Sequence, residues 1–231
     1  MDAVYNGFIS KHINRKLSEP IAHLLARTRL TPNQATWIAF GIAALSFASF
    51  VLGYNVLGGI LAQLSSIADG IDGSLARLKG ITSAFGSFLD SVLDRYADAL
   101  IVLGMILWSL FHESYPQIWL VGFLAIVGTL SLSYTRARID PKHRVIFDKG
   151  LLSIASRDIR LFLVMLGGVT GQVYFCLLLI AILTNLLVFY RLVYSYRYLR
   201  RKTIQPKSAL LAANMEEDVI HTPRKVSRRN A

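Results

Sequence analysis

The chain has 231 residues, of which 54% are hydrophobic and only 17% are charged, and its formal net charge is +11. This composition excludes a disordered chain, and a single cysteine, Cys176, excludes a disulfide scaffold. The apolar residues form long runs, several near the length of about 20 residues with which a helix crosses a bilayer. They predict an all-α, polytopic membrane protein and exclude an all-β domain.

The first thirty residues predict an amphipathic helix and contain no apolar run typical of a signal peptide. Apolar residues recur there at near-helical spacing, with Lys and Arg between them. They are Val4, Phe8, Ile13, Leu17, Ile21 and Leu24. We expect residues 1–30 to lie on the cytoplasmic leaflet as a juxtamembrane anchor, with a kink or a restart at Pro20.

Six apolar segments follow and predict six transmembrane helices. They cover residues 33–54, 56–78, 83–110, 116–137, 158–170 and 172–199. Residues 31–200 are therefore expected to form one six-helix domain. Residues 201–231 are polar and basic, which predicts a mobile cytoplasmic tail that can contact anionic lipid.

The basic residues are distributed on one side of this arrangement. All but one of the 25 Lys and Arg lie before the first segment, around the second and fourth connections, or from the end of the sixth segment onward. The alternate connections at 53–55, 111–117 and 167–172 contain none. Cytoplasmic loops carry this excess, so both termini are predicted in the cytoplasm at the plasma membrane. The same distribution accounts for the net charge, and nucleic acid is not an expected partner.

Five of the 14 acidic residues lie inside the second and third segments, where a charge is costly and normally has a partner or a function. Asp69 and Asp72 are three residues apart and share a helix face. Asp90 and Asp94 are four apart and share another, with Asp98 one turn further along. Because the two segments are antiparallel, four carboxylates are expected at a similar depth, open to the cytoplasmic side.

Four converging carboxylates repel one another unless protons or cations neutralise them. Oxygen ligands at this density favour Mg²⁺ or Mn²⁺, and a centre of two such ions binds diphosphates. Spacing alone leaves two alternatives open. One is the proton or cation path of a small cation-coupled transporter, and the other is structural pairing of Asp94 or Asp98 with Arg95.

Small residues surround the acidic pairs. They are Gly70, Gly73, Ser74 and Ala76 beside the first pair, and Ser83, Gly86 and Ser87 before the second. Small side chains allow close helix packing, and they also allow a pyrophosphate to approach the backbone. Arg77 would then offer a guanidinium to a phosphate.

The stretch from Asp69 to Asp94 resembles the signature of the CDP-alcohol phosphotransferase family. The matching fixed positions are Asp69, Asp72, Gly73, Ala76, Arg77, Gly86, Asp90 and Asp94. The resemblance extends over about residues 1–200. It implies a six-helix homodimer that transfers a phosphoalcohol from a CDP-alcohol to a second hydroxyl and releases CMP.

The resemblance also implies roles for individual residues. Asp69 and Asp90 would bridge two divalent ions, with Asp72 completing one site and Asp94 the other. Asp94 would in addition be the general base for the acceptor hydroxyl. Contacts to the nucleotide are implied for Gly73, Arg77 and Ser83, beside Asp69, Gly70 and Ala76, and for Pro32 and Asn33 in a segment that closes over the cytidine. That segment, Thr31–Gln34, is also typical of a helix start with Thr as N-cap and Pro first.

The acceptor is expected to be a phosphorylated polyol. Four arginines are predicted at the cytoplasmic ends of the last three segments: Arg136, Arg157, Arg160 and Arg191. Relatives that use inositol phosphate carry basic residues at the positions of Arg136, Arg160 and Arg191, although those making phosphatidylinositol phosphate often have Lys in place of Arg136. The stretches LTPNQ, AQLSS, LDSVLDRYAD and SRDIRLF are most similar to the di-myo-inositol phosphate phosphate synthases. The expected reaction joins CDP-inositol to inositol 1-phosphate, and a lipid synthase using CDP-diacylglycerol or CDP-archaeol is the alternative.

Overall fold

A computed structural model of the chain describes residues 14–138 and 156–220, with the backbone alone given at 198, 199 and 201–220. Over these ranges the chain forms seven α-helices and no strand, so the all-α expectation is confirmed. The helices are α1 (Arg15–Ala26), α2 (Pro32–Val51), α3 (Asn55–Lys79), α4 (Ala84–His112), α5 (Ile118–Arg138), α6 (Arg157–Thr170) and α7 (Val173–Ile220).

Three of the helices are long and apolar enough to cross a membrane: α2, α5 and the part of α7 from Val173 to Arg197. Helices α3 and α4, with 25 and 29 residues, are long enough but carry the acidic residues. Helix α6 has 14 residues and is about 21 Å long, which is less than the hydrocarbon core of roughly 30 Å. Six membrane-spanning helices therefore remain a prediction.

The ends of the helices follow from local sequence. Helix α2 begins at Pro32, and the Thr31 hydroxyl accepts a hydrogen bond from the backbone N–H of Gln34, whose side chain accepts from the Thr31 backbone N–H. The interpretation of this stretch as a Thr-capped helix start is confirmed. The Ser83 hydroxyl caps α4 by accepting from the backbone N–H of Gly86, and Gly80 caps the end of α3 with a φ of +66° that suits a residue without a Cβ.

Helix α1 lies against α3. Ser18 and Ala22 are buried in this contact, whereas Leu17, Ile21 and Leu24 are exposed. Pro20 lies inside α1 without ending it, contrary to a restart at that position. The remaining predicted apolar positions, Val4, Phe8 and Ile13, lie outside the described residues, and attachment of α1 to the leaflet stays a prediction.

The side chain of Asn14 joins the start of α1 to two other helices. Its amide donates to Ser66 on α3 and to Asp158 on α6, at 2.9 and 2.6 Å, and its carbonyl oxygen accepts from Gln63 at 2.8 Å. Ser66 also donates to Asp158 at 3.1 Å. These hydrogen bonds tie the start of α1 to α3 and α6.

The chain divides into two compact units, Met1–Phe189 and Tyr190–Ala231. The first unit has an apolar core that includes Phe50, Ile101, Met105 and Leu177. In the second unit the described chain is the end of α7, which continues as a helix to Ile220. Residues 201–220 thus extend the sixth predicted helix, since residues 208–217 are mainly the strong helix formers Ala, Leu, Met and Glu, and the mobility of the tail stays a prediction. Residues 221–231 lie outside the described residues.

Candidate active site

Helices α3 and α4 bring three carboxylates of the acidic motif together. One oxygen from each of Asp69, Asp90 and Asp94 lies within 4.8 Å of the others, and each side chain is partly buried. This convergence follows from the antiparallel arrangement of the two helices. Carboxylates this close, in partly shielded surroundings, repel one another unless protons or cations neutralise them.

Asp72 is oriented by a different set of contacts. One carboxylate oxygen accepts a hydrogen bond of 2.6 Å from the hydroxyl of Thr36 on α2, and the other accepts from the backbone N–H of Gly73. The residue is 8% exposed. Asp72 is thus held against α2, and it is not part of the group formed by Asp69, Asp90 and Asp94.

Arg157, the first residue of α6, supplies positive charge to this group. Its Nη1 lies 2.6 Å from a carboxylate oxygen of Asp69 and 3.1 Å from one of Asp94. Its Nε lies 3.1 Å from Asp98. The sequence predicts Arg157 as a ligand of the acceptor phosphate, and the structure places it directly beside the acidic motif.

Asp98 pairs with both arginines at the start of α6. Its second carboxylate oxygen lies 2.6 Å from Nη2 of Arg160, and both residues are about 5% exposed. The predicted pairing of Asp98 with Arg95 is wrong. Arg95 runs back along the helix, where it donates to the backbone oxygen of Ser91 and approaches Asp94 only to 4.0 Å, while Asp98, one turn further on, is paired with Arg157 and Arg160.

The residues predicted to bind the nucleotide lie where α2, α3 and α4 meet. A Cβ at Gly86 would lie 3.0 Å from the Ser83 hydroxyl and 3.1 Å from the amide oxygen of Asn33, so these three residues are neighbours. Pro32 precedes Asn33 at the start of α2. A side chain at Gly86 would crowd this junction.

A second group of predicted nucleotide residues faces α1. A Cβ at Gly70 would lie 3.1 Å from the Ser18 hydroxyl, and one at Gly73 would lie 3.5 Å from Nη1 of Arg77. Arg77 also donates to Ser74 at 3.1 Å. Ala76, beside Arg77, is partly buried.

A cavity of about 260 Å³ opens beside Arg77, and residues of α1 and α3 line it: Glu19, His23, Ser74, Arg77 and Leu78.

The other two predicted acceptor residues lie elsewhere on the chain. Arg136 is exposed in the last turn of α5. Arg191 lies on α7 in the second unit and is buried. The structure therefore brings Arg157 and Arg160 to the acidic motif, and it leaves the roles of Arg136 and Arg191 as predictions.

A family model for CDP-alcohol phosphatidyltransferases matches residues 29–193, which include the whole acidic motif. The chain belongs to this family. Its membership, together with the apolar helices, makes it an integral membrane protein.

Curated relatives include proteins of two kinds that are more than 30% identical to this chain. The bifunctional IPC transferase and DIPP synthase of Thermococcus kodakarensis is 33% identical over 88% of this chain, and that of Rubrobacter xylanophilus is 38% identical over 72%. The chain spans less than half the length of these two proteins, 46% and 37%. The archaetidylinositol phosphate synthase of Pyrococcus horikoshii is 34% identical over 74% of this chain and 88% of its own length.

Among solved structures, the phosphatidylinositol phosphate synthase of Mycobacterium tuberculosis with bound CDP-DAG matches with a TM-score of 0.64. The match covers 77% of this chain and 92% of that one, at 23% sequence identity. The same enzyme in complex with manganese and citrate also matches with a TM-score of 0.64, over 76% and 87% of the two chains. These matches show a shared fold.

Two contacts at the site are absent from the sequence predictions. Thr36 binds Asp72 from another helix, and Asn14 binds Asp158 beside Arg157. Thr36 follows Pro32 by one helical turn, so its position on the same face as the predicted nucleotide segment is the signal that could have identified it. Asn14 gives no such signal, because a polar residue before an amphipathic helix is ordinarily a cap.

Proposed function

We propose that the protein transfers a phosphoalcohol from a CDP-alcohol to a hydroxyl group of an inositol phosphate and releases CMP. The observation that carries this proposal is the convergence of Asp69, Asp90 and Asp94 within 4.8 Å, on the two helices that hold the signature of the CDP-alcohol phosphatidyltransferase family. Arg157, which contacts Asp69 and Asp94, and Arg160, which contacts Asp98, would supply the positive charge that a phosphorylated acceptor requires.

The donor set fits divalent cations. Three carboxylate oxygens converge at α3 and α4, and Asp72 offers a fourth carboxylate on the same helix as Asp69. Asp69, Asp72, Asp90 and Asp94 would hold two Mg²⁺ or Mn²⁺ ions, with Asp69 and Asp90 contributing to both and Asp72 and Asp94 to one each. Such ions neutralise a diphosphate and stabilise the attacking and leaving oxygens of an in-line displacement.

The protein's own residues bind and orient the substrates. Asn33, Ser83 and Gly86 lie together at the N-terminal ends of α2 and α4 and would contact the nucleotide. Arg77 lines the cavity beside Gly73 and would bind a phosphate oxygen of the donor. Pro32, Gly70 and Ala76 border the same region.

Asp94 is proposed as the general base. The acceptor oxygen attacks the phosphorus that bears the donor's alcohol, the bond from that phosphorus to the CMP oxygen breaks, and the acceptor's proton passes to the carboxylate of Asp94. Asp94 belongs to the acidic group and lies 3.1 Å from Arg157, which supports this role, because the base must lie beside both the diphosphate and the acceptor.

Inositol phosphate is proposed as the acceptor because guanidinium groups, which bind phosphate, lie beside the acidic residues of α3 and α4. Arg157 and Arg160 extend from the first turn of α6, and Arg136 and Arg191 are further candidates at helix positions predicted to face the cytoplasm. The names of the relatives, which include DIPP synthase and archaetidylinositol phosphate synthase, support this acceptor.

CDP-inositol is the proposed donor, as in the di-myo-inositol phosphate phosphate synthases. A lipid donor, CDP-archaeol or CDP-diacylglycerol, is the second candidate. It is favoured by the match over 88% of an archaetidylinositol phosphate synthase, a relative of similar length to this chain. The two donors differ in whether the transferred alcohol is soluble or carries two hydrocarbon chains.

Six transmembrane helices, cytoplasmic termini and a site that opens to the cytoplasm complete the proposal. Helices α2, α5 and α7 support it through their length and apolarity. A homodimer is expected from the family resemblance, and the lipid bilayer is the remaining partner.

The experiment is CMP release by the purified protein in detergent with Mg²⁺ and inositol 1-phosphate. CDP-inositol, CDP-archaeol and CDP-diacylglycerol are tested separately as donors. We expect release with CDP-inositol, and release with a lipid donor alone would assign the second candidate. Asp94→Asn should lower the rate at least about a hundredfold, because general-base catalysis contributes on the order of 10²–10⁴-fold.

Two controls make the result decisive. The Asp94→Asn protein must retain the wild-type melting temperature, which separates lost chemistry from lost folding. Excess EDTA should abolish CMP release, and undiminished turnover in EDTA would contradict the metal centre. Absence of CMP release with every donor, together with ion-coupled uptake in proteoliposomes, would instead support a transporter.

A further inference from the structure

Asp98 is a buried carboxylate outside the acidic group. It contacts the guanidinium groups of two arginines, although one positive charge would neutralise it. It is 5% exposed and sits one helical turn beyond Asp94 on α4. One of its oxygens lies 3.1 Å from Nε of Arg157, and the other lies 2.6 Å from Nη2 of Arg160. A single side chain thus holds two guanidinium groups from another helix.

The two arginines occupy an unfavourable place on their own helix. Both are in the first turn of α6, where the positive end of the helix dipole disfavours a cation. Asp158 in the same turn accepts hydrogen bonds from Asn14 and Ser66. The dipole of α6 does not favour two arginines at its start, and contacts with acidic residues on α3 and α4 hold them there.

Arg157 connects Asp98 to the reacting groups. Its Nη1 reaches Asp69 at 2.6 Å and Asp94 at 3.1 Å while its Nε remains on Asp98. Asp98 thus fixes the Nε side of this guanidinium, while Nη1 faces Asp69 and Asp94. Without the contact to Asp98, only Asp69 and Asp94 would orient the group.

We infer that Asp98 is a positioning residue that fixes Arg157 and Arg160 as a paired receptor for the phosphate of the acceptor. This inference rests on the proposed function, since it concerns the acceptor side of the same site. Asp98 touches no substrate in this role. It sets the spacing of two guanidinium groups, and bidentate recognition of a phosphate depends on that spacing.

The test compares Asp98→Asn with Asp98→Glu. The amide keeps the shape of Asp98 but loses its charge, and should raise KM for inositol 1-phosphate about tenfold or more, as loss of one charge-assisted contact implies. The KM for the CDP-alcohol donor should change less than about twofold, because the donor side does not depend on this pair. Asp98→Glu keeps the charge one methylene further out and should give an intermediate rise in the acceptor KM.

Glu113→Gln is the matched control. Glu113 is a partly buried carboxylate at the other end of α4, where it accepts hydrogen bonds from Ser109 and the backbone N–H of Tyr174. Its loss removes a structural charge from the same helix and should leave both KM values unchanged. If Asp98→Asn does not fold, the acceptor KM of Asp98→Glu decides: a value equal to that of the wild type would overturn the inference.

Direct binding separates this inference from the proposed function. Calorimetry should detect inositol 1-phosphate binding to the wild-type protein, about tenfold weaker binding to Asp98→Asn, and no binding of myo-inositol, which lacks the phosphate. Binding with this pattern but no CMP release from any donor would refute the proposed function and sustain the role of Asp98. Normal CMP release with equal changes in the donor and acceptor KM, or unchanged binding, would overturn the role of Asp98 alone.

Discussion

Asp72 is held by two donors, and only one of them belongs to the acidic motif. The backbone N–H of Gly73 comes from the same helix, whereas the hydroxyl of Thr36 reaches across from α2 at 2.6 Å. Both residues of this side-chain pair are buried. A hydrogen bond to a carboxylate in such surroundings is worth about 1.5–3 kcal/mol. Thr36 thereby fixes the rotamer of a carboxylate proposed to bind a metal ion.

Thr36→Val should therefore weaken the metal site. It replaces the hydroxyl by a methyl group of similar size, and we expect kcat/KM to fall about tenfold and the Mg²⁺ concentration for half-maximal CMP release to rise. Thr36→Ser is the control, since it retains the hydroxyl and should remain close to the wild type. Equal losses in the two variants would indicate a packing effect and contradict a role for the hydrogen bond.

The acidic motif could be predicted from the sequence because a carboxylate inside an apolar segment is costly wherever the chain folds. Its partners could not. Arg157 lies 63 residues beyond Asp94 in the sequence, and its contacts depend on the packing of α6 against α3 and α4. Helical periodicity identifies a shared face within one helix, and it carries no information about which other helix meets that face. For this reason the sequence favours a pair between Asp98 and Arg95, three residues away, and gives no indication of Arg157 or Arg160.

The contact between α3 and α6 positions Arg157 and Arg160, and this contact depends on two glycines. A Cβ at Gly168 on α6 would collide with the backbone oxygen of Asn55 and lie 2.9 Å from the Cα of Gly59 on α3. A Cβ at Gly59 would lie 3.0 Å from the backbone oxygen of Met165. The Asn55 side chain also donates to the backbone oxygen of Gly168 at 2.9 Å. The two backbones approach this closely because neither glycine carries a side chain.

Gly168→Ala should separate these helices. The clash is with backbone atoms, so it is relieved only by displacement of α6, and overpacking of this kind typically costs about 1–3 kcal/mol. We expect a melting temperature several degrees lower in detergent, together with a higher acceptor KM, because Arg157 and Arg160 move with α6.

Gly41→Ala provides the comparison for this helix contact. Gly41 also lies inside a helix, α2, and a Cβ there would meet no atom within 4 Å. Alanine is the better helix former by up to about 1 kcal/mol, so this variant should melt at or above the wild-type temperature. A melting temperature for Gly168→Ala equal to that of Gly41→Ala would contradict the close approach of α3 and α6.

Helix ends that are marked by capping residues could be predicted from the sequence. Helix ends without such residues were predicted less well. The capping residues Thr31 and Ser83 and the terminal Gly80 mark helix ends, and the predicted bounds of α3 agree with Asn55–Lys79 to within one residue. The predicted end of α7, at residue 199, differs from the observed end at Ile220. Polarity indicates solvent exposure, but an exposed segment rich in helix formers can continue a helix.

At the scale of the whole molecule, the distribution of charge predicts the orientation in the membrane. Helix α4 alone is about 43 Å long, more than the hydrocarbon core of roughly 30 Å, so its two ends are expected on opposite sides. The connection before α4 follows Arg77 and Lys79, whereas residues 111–117 after it contain no Lys or Arg. The acidic group lies on the half of α4 that starts from the basic connection, which predicts that substrates enter from the cytoplasm.

Cysteine labelling tests this orientation, because Cys176→Ala removes the one native cysteine. Thr82→Cys and Ser114→Cys then place exposed thiols at the two ends of α4. In intact cells, a membrane-impermeant maleimide should label the Ser114→Cys protein and leave the Thr82→Cys protein unlabelled, while permeabilised cells should label both. The two variants control for each other, since both positions are exposed connections next to the same helix. Labelling of Thr82→Cys alone in intact cells would place the acidic group on the outer side, where cells supply no CDP-alcohol, and would contradict both the orientation and the proposed reaction.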